Sequence, residues 1–325
     1  MKTQSIRFEE FGAPEDVLSL QEGDVPSLTD GDILVKIHAS PINPADINYV
    51  QGNYGVRPEL PATPGVEGCG TVLESRSSEY AEGDKVIFIE RVDAWQSHVV
   101  CAGDCAVKIP AELDEVQAAM LKVNPLTALR LIEGFEDLTE GDFLIQNAAN
   151  SGVGQCVIQI AKILGIKTIN LVRREEVMQA LLDLGADHVL LDDADVVAKV
   201  REICGENLPK LASNAVGGDS ALRLMDAVAE CGQHVTYGAM SMRSLKVPNK
   251  FLIFKRIVIQ GLWVTKWLEA ASRDEIKAAY DRLAEWVAAG KLTQNVDTIY
   301  SPEEIKEAIL HAKQSKRDGK VLLRF

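Results

Sequence analysis

The chain has 325 residues, too many for one small core and well suited to two domains of ordinary size. Hydrophobic residues make up 46% and charged residues 25%, the balance of a soluble globular protein. A net charge of −14 excludes the basic footprint that nucleic-acid binding needs and disfavours anionic membranes, and no apolar run approaches the ~18–20 residues of a membrane span.

The opening MKTQSIRFEEFG has no apolar signal core and reaches an acid by Glu9, so no export or transit segment is expected. Up to about residue 115, short apolar runs such as 33–37 and 85–88 are broken repeatedly by Gly23-Asp24, Asp30-Gly31, Gly52-Asn53 and Glu82-Gly83-Asp84. This is the pattern of an irregular, mostly antiparallel β domain. Helical periodicity then appears at 115–121 and 128–133. Beyond it six short apolar strands are predicted, at 143–146, 168–172, 188–191, 211–215, 234–237 and 258–262. Helices at 155–164, 175–184, 196–203 and 220–228 separate them, which describes a doubly wound parallel sheet. The tail reads as a helix at 274–289, a strand at 296–300, a helix at 302–313 and a strand at 321–325, returning to complete the first domain. Cysteines 69, 101, 105, 156, 204 and 231 form no C-x-x-C pair, so reduced thiols in a cytoplasm are expected rather than a disulfide frame.

The strongest local signal begins at Phe143, where a strand runs into the small-residue turn AANSGVG and then directly into a helix. A helix N-terminus offers unpaired N–H groups and a partial positive charge to a pyrophosphate. Gly152 and Gly154 permit close backbone approach, with Ser151 and Val153 completing the turn. Ala149 and Ser151 stand where G-x-G-x-x-G would place glycines, so the fingerprint is a variant. The second strand ends in Arg173-Arg174, with Arg173 19 residues beyond Gly154 and no acid before Glu175. A carboxylate there would accept from the ribose hydroxyls of NAD, whereas a guanidinium binds the 2′-phosphate, so NADPH is the expected cofactor.

With these pieces in view the chain resembles the medium-chain dehydrogenase/reductase superfamily, in its zinc-free branch of quinone and enoyl-thioester reductases. It is most similar there to the mitochondrial-type trans-2-enoyl thioester reductases. The motifs that carry the resemblance are PINPADIN (41–48), QGNYG (51–55), PELP (58–61), NPLTA (124–128), QNAANSGVG (146–154), TINLVR (168–173), YGAM (237–240) and GLWV (261–264). The resemblance implies a GroES-like irregular β catalytic domain over 1–118, completed by 265–325, and a Rossmann domain with a six-stranded doubly wound parallel sheet over 119–264. Zinc-dependent relatives carry a Cys in the 43–46 region, a His in a Gly-His-Glu triplet and another ligand near the crossover. Here those places read Asn43 to Asp46, Gly65-Val66-Glu67 and Lys122-Val123-Asn124, too few ligands for tetrahedral zinc. Of the cysteines, only Cys101 and Cys105 fall where such relatives hold a structural zinc. The histidines at 38, 98, 188, 234 and 311 are scattered and read as packing or surface residues.

Hydride reaching the β-carbon of an enoyl thioester leaves an enolate whose α-carbon needs a proton. A phenol, ordinarily protonated at neutral pH with a pKa of about 10, suits that step. The resemblance assigns it to Tyr54. It further implies that Asn124 faces the nicotinamide ribose and that Asn170 and Arg173, helped by Arg174, hold the 2′-phosphate end. Tyr237, Gly238, Ala239 and Met240 would flank the nicotinamide, Leu262, Trp263 and Val264 would continue that wall, and Lys320 would reach the cofactor. Trp263 and Trp267 are candidates for an acyl pocket, and Lys250, Lys255, Arg256 and Lys266 for contact with an acidic acyl carrier protein. A homodimer through the edge strand at 257–262 is the superfamily expectation. Two other readings stand beside this one: a quinone or general enone reductase on the same fold, and an NADPH-holding structural or regulatory protein without catalysis. Acyl-chain length, the choice between CoA and carrier protein, and the pathway are not written in these residues.

Overall fold

The computed structural model describes residues 1–314 and 316–325, and the chain divides into units of 1–123 with 271–325 and of 124–270. In the first unit, β1 (Lys2–Arg7) and β2 (Ser19–Asp24) form an antiparallel pair. The ten-residue strand β3 (Asp32–Pro41) pairs antiparallel with both β4 (Cys69–Ser75) and β6 (His98–Ala102). β4 continues to β5 (Lys85–Phe88) and β5 to β7 (Ala106–Lys108). Alternation sets the core: Ile33, Val35 and Ile37 point inward from β3 onto Val72, Val86, Phe88 and Val99.

The second unit is a parallel six-stranded sheet. Its strands are β8 (Phe143–Gln146), β9 (Lys167–Val172), β10 (His188–Leu191), β11 (Leu211–Asn214), β12 (Gln233–Thr236) and β13 (Val258–Gly261). They lie in the order β10-β9-β8-β11-β12-β13, every neighbouring pair parallel. Ile145, Ile169, Leu171 and Ala212 of the sheet pack against Leu224 and Met225 of the helix Gly218–Ala227. The order reverses between β8 and β11, so the crevice beyond their C-terminal ends is where such a sheet takes a ligand. In the tail of the chain, β15 (Lys320–Leu323) pairs antiparallel with β3 and parallel with β14 (Val296–Tyr300), returning to the first unit as expected.

All six predicted strands of the parallel sheet form, but several boundaries move for physical reasons. The units divide at Asn124 and after Ala270, not at 119 and 264. The helix Glu115–Ala119 packs on β3 and β4, while the unpredicted helix Val264–Ala270 packs on the helix Asn124–Glu133. A second unpredicted helix, Asn249–Ile253, starts after Pro248 and leaves Leu252 and Ile253 exposed, so it shows no readable periodicity. The helix expected at 175–184 opens as a 3-10 turn, Glu175–Val177, before Met178–Leu184.

His234 on β12 is fully buried, and burial pushes its imidazole from 6.5 down to about 4. Between those values the unfolded chain takes up a proton that the folded chain refuses. Its share of stability is therefore whole above pH 6.5 and is lost as the pH falls towards 4, by about 3 kcal/mol. Denaturant unfolding of His234→Leu at pH 7 and pH 4 is expected to show a narrower stability gap than wild type. An unchanged gap would mean that other groups carry the acid sensitivity.

Candidate functional site

The site in the parallel-sheet unit is built on the turn after β8. Ser151 caps the helix Gly152–Leu164: it is extended at φ −75° and ψ 165°, and its hydroxyl accepts from the Gly154 N–H at 3.2 Å. A Cβ on Gly154 would lie 2.5 Å from the Ala149 carbonyl oxygen, and one on Gly152 would lie 2.4 Å from Asn124 Nδ2. At Gly154 the contact is with backbone and leaves no room for a side chain, while at Gly152 it is with the Asn124 carboxamide. The helix N-terminus is thereby held against the strand end, with Asn124, the first residue of its own helix and 6% exposed, packed on Gly152. The glycines form the cradle, and the helix end supplies the N–H groups, that a pyrophosphate needs, so these residues fit a dinucleotide.

A cleft of about 170 Å³ opens at this turn, and Ser151, Arg173 and Met240 are among the residues that line it. Arg173 is exposed and Arg174 half-buried at the end of β9. Gly152, Val153 and Gly154 form the helix end behind Ser151, while Tyr237, Gly238 and Ala239 lead the chain from β12 to Met240. Burial raises the Tyr237 phenol, and the neighbouring Ser151 hydroxyl partly offsets that rise. Asn170 is a correction. It is fully buried, its Oδ1 accepting from Gln146 Nε2 at 2.8 Å and its Nδ2 donating to Thr168 Oγ1 at 2.9 Å and the His188 carbonyl at 3.0 Å. Its amide is taken up by these partners inside the sheet, and it is not among the residues that line the cleft. Leu262 and Trp263 follow β13 and Val264 opens the next helix, all half-buried and none of them lining this cleft. The Trp267 ring lies under the Arg130 guanidinium, 4.9 Å from its centroid.

A polar network at the switch point was not read from sequence. Asn147 Nδ2 donates to Asn214 Oδ1 and to Ser220 Oγ, each at 2.8 Å, while its Oδ1 accepts from the Ala215 N–H at 2.7 Å. Asn214 Oδ1 also accepts from the Val216 and Gly217 N–H groups, at 3.1 and 3.0 Å. Ser220 Oγ then donates at 2.5 Å to Asp192, which lines the cleft. The available signal was an asparagine at or just after the end of two apolar strands, Asn214 ending β11 and Asn147 following β8. Among the basic candidates for an acidic carrier, Lys250 pairs with Asp226 at 3.5 Å and Lys266 with Glu269 at 2.5 Å. Lys255 donates to the Met225 and Asp226 carbonyls at 2.9 and 2.6 Å, and Arg256 sits at φ 52°.

In the other unit Tyr54 is half-buried beside Phe8, Tyr49, Val50 and Ala62, in a turn where Gly52 adopts φ +73° with Phe11 close by. The three segments that hold metal in zinc-dependent relatives meet in this unit. Asn43 Nδ2 donates to Glu67 Oε1 at 2.8 Å, and Glu67 Oε2 accepts from the Val123 N–H at 2.9 Å. Asp46 Oδ1 accepts from the N–H groups of Gly65 and Val66 at 3.2 and 2.9 Å. Lys122 donates to the Val66 and Glu90 carbonyls, both at 2.7 Å, and Lys320 donates to Asn43 Oδ1. Burial raises both carboxyls and lowers the Lys122 amine, each shift opposed by the charges of its neighbours. Among the described residues no cluster of three or more His, Cys, Asp or Glu could hold a metal.

Placing a methyl on Gly152 forces the Asn124 carboxamide aside. Gly152→Ala is expected to weaken dinucleotide binding about tenfold, as strain of this kind costs about 1–3 kcal/mol. Equilibrium titration with NADP⁺ checks this, and unchanged affinity would show that the turn gives way freely.

The alcohol dehydrogenase GroES-like domain family matches residues 29–111, and the family described as zinc-binding dehydrogenase matches 152–285. A mitochondrial enoyl-[acyl-carrier-protein] reductase of Xenopus tropicalis is 38% identical over 95% of this chain and 91% of its own. The Candida tropicalis Etr1p/NADP/crotonyl-CoA complex aligns with TM-score 0.89 at 29% identity, covering all of both chains. A Bacillus thuringiensis protein assigned as an NADPH:quinone reductase aligns with TM-score 0.93 at 26% identity, over 100% of this chain and 99% of that one. With two family domains in order and a relative of this identity across nearly the whole length, the chain belongs to the enoyl reductases of the medium-chain dehydrogenase/reductase superfamily.

Proposed function

We propose that this enzyme uses NADPH to reduce the α,β double bond of a trans-2-enoyl thioester, carried on coenzyme A or on acyl carrier protein. The observation that carries the reading is the 38% identity to an enoyl-[acyl-carrier-protein] reductase over 95% of the chain. The helix end at Gly152 and the Arg173 side chain in the same cleft agree with it.

Bound NADPH supplies a hydride to the β-carbon of the substrate. The N–H groups at the start of the helix Gly152–Leu164 bind the pyrophosphate. Arg173, with Arg174 beside it, pairs with the 2′-phosphate, where a guanidinium is worth most because it can bind two oxygens at once. Asn124 orients the ribose next to the helix end, and Lys320 adds a positive charge. The residues from Tyr237 to Met240 and from Leu262 to Val264 wall the nicotinamide. Tyr54 donates its phenolic proton to the α-carbon of the enolate and is recharged from solvent. The reaction runs without zinc, and we place the protein in the cytoplasm, although the curated relatives carry mitochondrial names. No helix of the described residues is long and apolar enough to cross a membrane, and no disulfide joins cysteines among the described residues. A homodimer would join through β13, where Val258 is exposed, with Ile253 and Phe254 exposed at the end of the helix that precedes it.

The test is NADPH oxidation with a trans-2-enoyl-CoA, the same acyl group on a carrier protein, a quinone and a simple enone. Preferred turnover of a thioester supports the proposal. Turnover of quinone alone would transfer the assignment to the quinone reductases, which the likeness to the Bacillus thuringiensis fold makes the natural second reading. Tyr54→Phe is expected to lower thioester turnover by ~10²–10⁴ while leaving NADPH affinity intact; full turnover would remove Tyr54 from the chemistry. Arg173→Ala is expected to cut kcat/KM for NADPH by about 10–100-fold and to leave NADH nearly unaffected, since a charge-assisted bond of about 1.5–3 kcal/mol is lost. An equal loss with both nucleotides would move the 2′-phosphate contact elsewhere.

A further inference from the structure

We infer that Asp192 reads the adenine base of the cofactor, accepting a hydrogen bond from its exocyclic amine and so rejecting purines that carry a carbonyl there. The inference rests on the NADPH reading and deepens it. Asp192 follows β10, lines the same cleft as Arg173, and is the one carboxylate among the lining residues. Its side chain is only 6% exposed. Arg223 Nε donates to Oδ1 at 2.6 Å, Arg223 Nη2 donates to the Asp192 carbonyl at 3.1 Å, and Ser220 Oγ donates to Oδ2 at 2.5 Å. Ser220 is itself held by Asn147 from the end of β8.

Three consequences follow. The carboxylate cannot rotate, because each oxygen is tied to a different side chain on the helix Gly218–Ala227. Each oxygen keeps acceptor capacity beyond the single bond it makes, since an ionised carboxylate offers about four lone-pair sites. Arg223 also balances the Asp192 charge, so Arg173 remains available to a phosphate and is not captured by the acid. Val216 and Met240 supply apolar surface in the same cleft, the lining that a flat aromatic base requires. A fixed acceptor beside apolar walls suits a base edge that donates. Adenine donates at that edge through its amine, whereas hypoxanthine presents an oxygen that a carboxylate repels.

The experiment compares NADP⁺ with nicotinamide hypoxanthine dinucleotide phosphate, binding each to the purified protein by calorimetric titration, for wild type and Asp192→Asn. Wild type is expected to bind the hypoxanthine form about 10–100-fold more weakly, the range for loss of a hydrogen bond to a charged group. In Asp192→Asn the two affinities should converge to within about threefold, because a carboxamide can donate to the purine oxygen as well as accept from the amine. The ratio within one protein cancels any general loss of stability in the variant, and the wild-type comparison needs no variant at all. Equal wild-type affinities, or a variant that keeps the wild-type ratio, would overturn the assignment to Asp192. Failure of NADP⁺ itself to bind would overturn the cofactor reading along with it.

Discussion

Everything at the dinucleotide turn depends on two missing side chains. Helix ends carry their unpaired N–H groups only a short way into space, so a phosphate must come close to be held. The contact at Gly154, 2.5 Å from the Ala149 carbonyl to where a Cβ would stand, shows how little separation the backbone allows, and at Gly152 the Asn124 carboxamide takes the space a Cβ would need. Ser151 can satisfy the Gly154 N–H, and Asn124 can lie on Gly152, only because that approach is made. The position of the cleft follows from it, since Ala148, Asn150 and Ser151 form one of its sides.

A second constraint runs across the sheet. Buried amides are costly unless every polar atom finds a partner, and a network that is fully paired admits one arrangement. Asn147 and Asn214 meet that condition at the place where strand order reverses, each bonding backbone and side chain together. They lock the ends of β8 and β11 in register and pass the constraint through Ser220 to Asp192. In the other unit the Asn43–Glu67 contact works in the same way, with Lys122 and Lys320 contributing positive charge to a cluster whose carboxylates would otherwise be buried alone. Both regions are rigid because polar groups were buried with their partners.

The order of elements was legible because it is written in period and punctuation. Apolar alternation, turn residues and the switch to strand–helix spacing suffice to place all six parallel strands, and the glycines announce the phosphate turn. Side-chain direction was less legible. Asn170, assigned to the 2′-phosphate end by resemblance, is fully buried, and its amide is taken up by Thr168 and, from neighbouring strands, by Gln146 and the His188 carbonyl, partners that no local motif announces. The short helices Asn249–Ile253 and Val264–Ala270 escaped because segments of five and seven residues give too few turns for a period to show. Asp192 escaped for another reason. Its role depends on Ser220 and Arg223, residues 28 and 31 positions away, and no local motif marks a carboxylate that acquires its meaning through such partners.

The electrostatics of the chain sharpen the same point. A protein of net charge −14 is expected to take a cofactor and a substrate that are themselves rich in phosphate. Long-range attraction cannot account for that, because at physiological salt the field of exposed charges fades within about 8 Å. On the proposed reading, recognition therefore rests on groups within contact distance: the helix N–H groups behind Ser151, and the Arg173 guanidinium at the end of β9. Arg223 makes that economy workable. By pairing with Asp192 it keeps the one acid among the lining residues from competing for Arg173, so a carboxylate and the arginine proposed to take the 2′-phosphate can share a small cavity. Three basic side chains elsewhere in this unit are spent locally, Lys250 on Asp226, Lys266 on Glu269 and Lys255 on a helix end. Selectivity in this fold is thus a matter of which charges are already paired, and net charge says little about it.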